Sequence, residues 1–250
     1  MIPKIIHYCW FGGNPLPLKA KKCVASWEKY FHGYEIKEWN ETNYDLKKNP
    51  YTADAYEAKN YSFVSDYVRF DILYQYGGIY FDTDVEVIKS FEDILSNGPF
   101  IGIETKGRIN SGIGCGFYAG QPVLKDILAV YNKLNFSDSA RNNYMAVDIA
   151  TEIFTSLGFT NSDTIQKIAD TTIYPIEYFN PIDYDTHYLH ITSNTFSIHY
   201  GDASWVDNKR RLTANIHIWL CRILGKKAGK FLSGKFRKAA KSAYYFFTGK

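Results

Sequence analysis

Cysteine is scarce in this sequence, and its four cysteines lack the paired spacing of a zinc site. No apolar run approaches the roughly 20 residues that span a bilayer, and no repeat or low-complexity linker interrupts the chain. Met1-Ile2-Pro3 leads directly into an apolar segment without the pattern of a signal peptide. We therefore expect a cytoplasmic protein with reduced thiols.

The composition is that of a soluble enzyme. The chain has 250 residues, of which 46% are hydrophobic and 22% charged, so it can bury a sizeable core in one large α/β domain. Its 21 tyrosines and 17 phenylalanines suit stacking on sugars and bases, although core packing is the commoner use of such rings.

The net charge of +3 is unevenly distributed. Residues 206–250 carry 12 of the 29 Lys and Arg residues and a single acid, Asp207, so this segment is +11 and the rest is −8. We predict a catalytic domain over residues 1–205 and a basic amphipathic helical extension over residues 206–250. Such an extension favours an anionic membrane surface, while a helix packed on the domain is the alternative. Nucleic acid is not an expected partner, because the remaining domain is acidic and has no nucleic-acid motif.

Strand and helix patterns alternate along the first part of the chain. Apolar runs predict strands at residues 5–10, 34–39 and 79–82, and apolar stripes at helical spacing predict helices at residues 17–30, 62–76, 121–134 and 143–157. In the helix over residues 62–76, Ser62 is expected to cap the start and Gly77-Gly78 to end it. This alternation is typical of an α/β layered domain.

Asp82-Thr83-Asp84 follows the third predicted strand. If the strand continues through these residues, both carboxylates face the same way, and carboxylate oxygens are the preferred ligands of Mg²⁺ and Mn²⁺. A divalent ion there could clamp a diphosphate. The motif alone is weak evidence: Asp183-Tyr184-Asp185 has the same spacing and is interpreted as a solvated loop.

Other polar and aromatic residues strengthen this hypothesis. Asp66 and Arg69 share a helix face, so they could hold a sugar and a phosphate or form an intrahelical ion pair. Trp10 could stack on a nucleobase or fill the core. His199 could be a third metal ligand or a half-buried structural histidine.

The ordered motifs together resemble the bacterial and fungal glycosyltransferases with a DXD sugar-binding region. That family includes capsular and surface polysaccharide transferases, initiating mannosyltransferases of the yeast type and, more distantly, the glucosylating clostridial toxins. The resemblance covers about residues 1–205, and the stretches that carry it are Ile2–Gly13, Ser26-Trp27, Ser65–Arg69, Tyr76–Val85, and His199 with Ala203–Trp205.

The resemblance implies a GT-A type fold, in which a Rossmann-like mixed sheet flanked by helices binds a nucleotide sugar, and a retaining reaction. It implies that Asp82, Asp84, Arg69 and Asp66 are the catalytic residues. The implied donor-binding residues are Tyr8, Trp10, Ser65, Asp66, Arg69, Asp82, Asn110, Ser204 and Trp205. The implied ligands of a Mn²⁺ or Mg²⁺ ion are Asp82, Asp84, His199 and Ser204.

The expected activity is transfer of a hexose from a nucleotide diphosphate sugar, with UDP favoured, to a saccharide acceptor. The acceptor is expected to be a lipid-linked oligosaccharide of capsular or surface polysaccharide synthesis, handled at the inner face of the cell membrane. Two alternatives stay open: a nucleotide-sugar hydrolase or pyrophosphatase with the same metal site, and a catalytically silent sugar-binding protein that docks on membranes.

Overall fold

The computed structural model describes residues 1–137, 145–201 and 208–248, and within the last range it describes the side chains of residues 212–235. The helices are α1 (Leu18–Tyr30), α2 (Pro50–Glu57), α3 (Tyr61–Tyr76), α4 (Glu92–Ser96), α5 (Pro122–Tyr131), α6 (Ala146–Ser156), α7 (Ile176–Phe179) and α8 (Asn208–Thr248), with a short 3₁₀ helix at Leu46–Lys48. The strands are β1 (Ile5–Cys9), β2 (Glu35–Trp39), β3 (Gly78–Tyr80), β4 (Val85–Val87), β5 (Phe100–Thr105), β6 (Arg108–Phe117), β7 (Gln166–Ile168), β8 (Thr171–Tyr174) and β9 (Ser197–His199).

Seven strands form one mixed sheet in the order β2-β1-β3-β6-β5-β8-β7. Strand β1 is parallel to both β2 and β3, whereas β6 is antiparallel to β3 and β5. A second sheet pairs β4 with β9, so that Val85 lies opposite His199. The predicted mixed α/β sheet flanked by helices is therefore confirmed.

Side-chain alternation along the central strands gives the sheet a buried core on each face. Ile6 and Tyr8 of β1 point to the side where α1 inserts Trp27, and Phe81 belongs to the same cluster. Cys9 and Tyr80 point to the other side, where α3 contributes Val64 and Val68 among others. The strand that leads to Asp82 is thus fixed by packing on both faces.

Helix α3 begins one residue earlier than predicted. Its N-cap is Asn60, so the expectation that Ser62 caps the helix was wrong: Ser62 lies inside the first turn. The predicted end is confirmed, since Gly77 takes the positive φ of 64° and its N–H donates to the Leu73 carbonyl at 2.8 Å. A side chain at Gly77 would also meet the Ala119 backbone nitrogen at 2.7 Å.

Strand β3 ends at Tyr80, two residues before Asp82. The chain then turns, and the Val85 N–H donates to the Asp82 carbonyl at 3.1 Å. The condition that the strand continues through the two aspartates is therefore not met. A turn, not strand alternation, presents their carboxylates.

Contacts divide the chain into two compact units, Met1–Pro181 with Ile191–Asp202, and Ile182–His190 with Ala203–Lys250. In the second unit, α8 is broken at Gly225, which has φ 77° and ψ 159°. The two halves of α8 then pack together, since His217 Nδ1 lies 2.7 Å from Ser233 Oγ. Within the described parts of the chain, no helix combines the length and apolar character needed to cross a membrane.

The second Asp-x-Asp sequence lies in this second unit, and its interpretation as a solvated loop was wrong. The side chains of Asp183 and Asp185 are only 17% and 14% exposed. Asp183 pairs with Lys226, and Asp185 pairs with Lys230 at 2.8 Å. The lysines of α8 therefore neutralise both carboxylates, which the local sequence around residue 184 does not reveal.

Candidate active site

One group of side chains in the described part of the chain is arranged to hold a metal ion, and it consists of Asp82, Asp84 and His199. A carboxylate oxygen of each aspartate and a ring nitrogen of the histidine all lie within 4.8 Å of one another. His199 Nε2 is 3.5 Å from Asp84 Oδ1. The pairing of β4 with β9 brings His199 to the aspartate turn, because Tyr200 N–H donates to the Asp84 carbonyl at 3.0 Å.

Arg69 of α3 lies beside this group and is nearly fully buried. Its Nη2 is 3.2 Å from Asp82 Oδ1 and 3.0 Å from Asp66 Oδ1. Its guanidinium also lies over the Tyr80 ring, 4.9 Å from the centroid. Burial disfavours the charged guanidinium, but Asp82, Tyr80 and Asp66 hold the pKa of Arg69 well above its usual range.

Asp66 has a second contact besides Arg69. Its Oδ2 accepts a hydrogen bond of 3.3 Å from the Ala146 N–H, the first amide of α6. A carboxylate is stabilised at a helix N-terminus, so Asp66 links α3 to α6. Burial raises the pKa of the Asp66 carboxyl against the opposing charge of Arg69.

An irregularity in β6 forms a wall of the site. Cys115 and Asn110 pair with successive residues of β5, so residues 111–114 of β6 are left over. In this segment the Gly112 carbonyl accepts the Asp82 N–H at 2.8 Å. A Cβ atom at Gly112 would lie 1.9 Å from Asp82 Oδ2 and 2.9 Å from Arg69 Nη1. Gly112 is therefore the residue that lets Asp82 and Arg69 occupy their positions.

The structure places the remaining predicted residues of β1 and α3 in different surroundings. Trp10 is half-buried, and its indole Nε1 donates to the Asn14 carbonyl at 2.5 Å. Tyr8 is buried against Trp27, and its hydroxyl donates to a Glu38 carboxylate oxygen at 2.7 Å. The hydroxyl of Ser65 donates to the Tyr61 carbonyl within α3.

Asn110 is buried and hydrogen bonded on both sides of its amide. Its Oδ1 accepts the Gly112 N–H at 2.7 Å, and its Nδ2 donates to Glu104 Oε1 at 3.0 Å. Ser204 and Trp205, the other predicted donor and metal residues, lie outside the described residues, so their roles stay predictions.

Three site residues were not predicted as functional from the sequence. They are Tyr80, whose hydroxyl donates to Asp82 Oδ1 at 3.0 Å, Gly112 and Glu104. Tyr80 belongs to the stretch Tyr76–Val85 that carries the family resemblance, and Gly112 lies two residues after the predicted donor residue Asn110, but Glu104 stands in an ordinary apolar strand. No local signal distinguishes Glu104, because only the pairing of β5 with β6 brings it to the site.

The donor set fits a hard divalent cation. The connected side chains of Asp66, Asp82, Asp84 and Glu104 provide carboxylates, while Arg69 is the guanidinium among them. Carboxylate oxygens with an imidazole nitrogen suit Mn²⁺ or Mg²⁺. A cation bound here would relieve the repulsion between these carboxylates and attract a diphosphate. Such a set of side chains is compatible with a metal-assisted enzyme that acts on a diphosphate.

Known proteins agree with this class. Residues 17–101 match the family model described as "Glycosyltransferase sugar-binding region containing DXD motif". "Inositol phosphoceramide mannosyltransferase 3" of Schizosaccharomyces pombe is 29% identical over 158 residues, which is 60% of this chain and 42% of that protein. "Uncharacterized glycosyltransferase L373" of Acanthamoeba polyphaga mimivirus is 24% identical over 236 residues, 89% of this chain and 88% of that protein. This chain thus matches less than half the length of the yeast relative.

Two solved structures have weaker similarity. "PaToxG Glycosyltransferase" shares 17% identity and a TM-score of 0.48, over 62% of this chain and 69% of its own. A glycosyltransferase "involved in the glycosylation of the major capsid of PBCV-1" shares 13% identity and a TM-score of 0.43, over 85% of this chain and all of its own. The family model matches about a third of the chain, and both of these relatives are named glycosyltransferases, so the chain is similar to the glycosyltransferases with a DXD sugar-binding region.

Proposed function

We propose that this chain is a retaining, metal-dependent glycosyltransferase that moves a hexose from a nucleotide diphosphate sugar to a saccharide acceptor. The observation that supports this proposal most is the convergence of Asp82, Asp84 and His199 beside the buried Arg69. A divalent cation held by Asp82, Asp84 and His199 would supply Lewis-acid stabilisation of the departing diphosphate.

The other site residues are proposed to hold the donor. Arg69 keeps its charge near the diphosphate and the sugar, and Asp66 orients Arg69 and accepts hydrogen bonds from sugar hydroxyls. Trp10 stacks on the nucleobase, with Tyr8 and Ser65 lining the donor site on β1 and α3. Asn110, Ser204 and Trp205 are assigned to the donor as well, Ser204 also to the metal.

The reaction is proposed to proceed without a protein nucleophile. The bond between the anomeric carbon and the diphosphate oxygen breaks while Arg69 stabilises the growing negative charge. The acceptor hydroxyl attacks the anomeric carbon from the same face and passes its proton to the departing diphosphate oxygen. Most of the rate enhancement then comes from electrostatic stabilisation of the leaving group and from positioning. Gly112 keeps the wall of the site clear of side-chain atoms, which preserves this arrangement.

The proposed acceptor is a lipid-linked oligosaccharide of capsular or surface polysaccharide synthesis, reached at the inner face of the cell membrane. The yeast relative is named an inositol phosphoceramide mannosyltransferase, and this reference to a lipid supports a lipid-borne substrate. In α8, the side chains of Trp219, Ile223 and Phe231 are each about 60% exposed, and lysines lie between them. Exposed rings with basic neighbours suit an anionic lipid surface.

The test of the activity is a screen of donors with and without Mn²⁺ or Mg²⁺, read as thermal stabilisation, followed by a transfer assay. UDP-hexoses are the first donors to test, and GDP-mannose is the matched alternative because the yeast relative is named a mannosyltransferase. We expect one nucleotide sugar to stabilise the protein in a metal-dependent way. Turnover should be slow with water and fast with the right saccharide, and the product should keep the donor's anomeric configuration. Fast hydrolysis without dependence on an acceptor would favour a hydrolase instead.

The test of membrane binding is flotation of the full chain with vesicles of phosphatidylglycerol or phosphatidylcholine. Trp219→Glu with Phe231→Glu should reduce flotation with the anionic vesicles. Leu18→Glu is the matched control, since Leu18 is an apolar residue of α1 that is 71% exposed. Equal flotation of all variants would refute the membrane surface proposal.

A further inference from the structure

Glu104 occupies a β-bulge next to the proposed metal site. Ile103 pairs with Ile109 and Thr105 pairs with Arg108, so Glu104 is the extra residue of β5 at this point. A bulge of this kind redirects a side chain that regular pairing would point elsewhere. The side chain of Glu104 is 26% exposed, so it is neither a core residue nor a fully solvated one.

Two asparagines hold Glu104 in place. Asn110 Nδ2 donates to its Oε1 at 3.0 Å, and Asn180 Nδ2 donates to its backbone carbonyl at 3.0 Å. Asn110 in turn accepts the Gly112 N–H, so Glu104 is connected to the segment that contacts Asp82. Asn110 therefore orients the carboxylate of Glu104, and Asn180 holds its backbone at the bulge.

His199 lies between Glu104 and the aspartates. Its Nδ1 is 3.9 Å from Glu104 Oε1, and its Nε2 is 3.5 Å from Asp84 Oδ1. Glu104 is outside the group of side chains that could share one ion, Asp82, Asp84 and His199. The two ring nitrogens of His199 thus face two different carboxylates, one inside the proposed metal site and one behind it.

We propose that Glu104 is a positioning residue of the metal site: its carboxylate attracts the proton of His199 to Nδ1, so that Nε2 keeps its lone pair for the metal ion. A metal-bound histidine needs one unprotonated nitrogen, and the partner of the other nitrogen selects the tautomer and the ring orientation. The negative charge of Glu104 also makes the imidazole nitrogen a stronger electron-pair donor to the metal ion. This inference rests on the proposed function only through the metal ion.

The test is a titration of the full-length protein with Mn²⁺ alone, in which electron paramagnetic resonance measures the concentration of free Mn²⁺. Glu104→Gln keeps the size of the side chain and removes its charge, and Glu104→Asp keeps the charge with a shorter reach. Glu152→Gln, at an exposed carboxylate on α6, is the matched control. Melting temperatures without metal report on folding independently of metal binding.

We expect Glu104→Gln to weaken Mn²⁺ binding roughly 10- to 100-fold, the usual effect of losing such a partner, with Glu104→Asp less affected and the control unchanged. In a His199→Ala background, Glu104→Gln should cause no further loss, because Glu104 acts through His199. Equal Mn²⁺ affinity of wild type and Glu104→Gln would overturn the proposal, and so would an undiminished loss in the His199→Ala background. Absence of Mn²⁺ binding by the wild type would instead refute the metal ion of the proposed function.

Discussion

Asp82-Thr83-Asp84 and Asp183-Tyr184-Asp185 have the same spacing of carboxylates but different surroundings. In the first, the carboxylates converge with His199, and the buried Arg69 pairs with both Asp82 and Asp66. In the second, each aspartate has its own lysine. The carboxylates of the second motif are thus neutralised pair by pair, whereas those of the first lie together with a ring nitrogen that could share a metal ion.

The same spacing of two aspartates therefore occurs once in a group that could hold a metal ion and once in ion pairs with lysines. Asp82 donates its N–H to the Gly112 carbonyl and accepts a hydrogen bond from the Tyr80 hydroxyl, and neither residue adds positive charge. In the second motif, Asp183 accepts hydrogen bonds from Thr186 in addition to its ion pair with Lys226. These contacts hold the loop in place. The same spacing of aspartates is therefore proposed to serve catalysis in one place, while in the other it forms ion pairs within the fold.

The largest expected effect is at the first motif. Asp84→Asn removes a charged ligand of the metal ion, and metal stabilisation of a leaving group is worth several kcal/mol. We expect transfer activity to fall by at least about 100-fold, since each factor of ten corresponds to about 1.4 kcal/mol. Kinetics across a Mn²⁺ series would measure this fall, with Asp185→Asn as the matched control. Unchanged activity of Asp84→Asn would contradict the proposal that the first motif, unlike the second, binds the metal ion.

The next effect concerns His7 of β1, which pairs with Tyr80 of the strand that leads to Asp82. His7 donates from Nε2 to the Gly77 carbonyl at 2.9 Å and accepts the Trp39 indole N–H at Nδ1, so its ring is neutral. Burial lowers the pKa of His7 from 6.5 to about 4. Between pH 6.5 and about pH 4, His7 is protonated in the unfolded chain but not in the folded one. The free energy of unfolding therefore falls as the pH drops through this window, and the contribution of His7 stays constant below it.

The full cost of protonating this site is about 3 kcal/mol at 1.4 kcal/mol per pKa unit. We expect His7→Gln to have a shallower loss of stability than the wild type over this pH window, whatever its absolute stability. Urea unfolding at a series of pH values would measure the slope. If the free energy of unfolding of His7→Gln changed with pH as steeply as that of the wild type, His7 would not be the group that is buried in its neutral form.

A smaller effect is expected at Gly112. Gly112→Ala places a methyl group where Asp82 Oδ2 now lies, so the aspartate or the β6 segment must shift. We expect a loss of stability of about 1–3 kcal/mol together with weaker Mn²⁺ binding. The control is Gly234→Ala on α8, where a Cβ meets nothing within 4 Å. Calorimetric melting and Mn²⁺ titration would test both, and normal Mn²⁺ binding by Gly112→Ala would contradict the role of this wall.

The smallest effect is expected at the second motif. Lys226 and Lys230 are each more than half exposed, so solvent screens their pairs with Asp183 and Asp185. We expect Asp183→Asn and Asp185→Asn to lower stability by about 1 kcal/mol or less and to leave Mn²⁺ binding unchanged. Urea unfolding at low and high salt would measure the difference, which should shrink at high salt.

Much of the fold could be predicted because its signals are local. Helix α1 begins one residue from its predicted start, and Gly77 ends α3 as expected from its freedom to adopt positive φ. The apolar run before Asp82 predicted a buried strand, although the strand itself stops at Tyr80. Such features depend on residues within a few positions of one another.

The parts that could not be predicted depend on strand register and on distant partners. The irregular pairing of β5 with β6 decides where Gly112 and Glu104 lie, and no local pattern encodes it. The lysine partners of Asp183 and Asp185 come from a helix more than 40 residues away in the chain, so the second motif was mistaken for a solvated loop. For the first motif, the resemblance to a known family supplied the ligand set that spacing alone left open.

The central claim is that a divalent ion binds at Asp82, Asp84 and His199 and not at the second motif. Crystals grown with UDP and Mn²⁺ and measured at the manganese absorption edge would locate the ion by its anomalous scattering. The account predicts one strong peak between Asp82, Asp84 and His199, in contact with the diphosphate. A peak at Asp183 and Asp185, or a diphosphate bound without any peak beside Asp84, would contradict it.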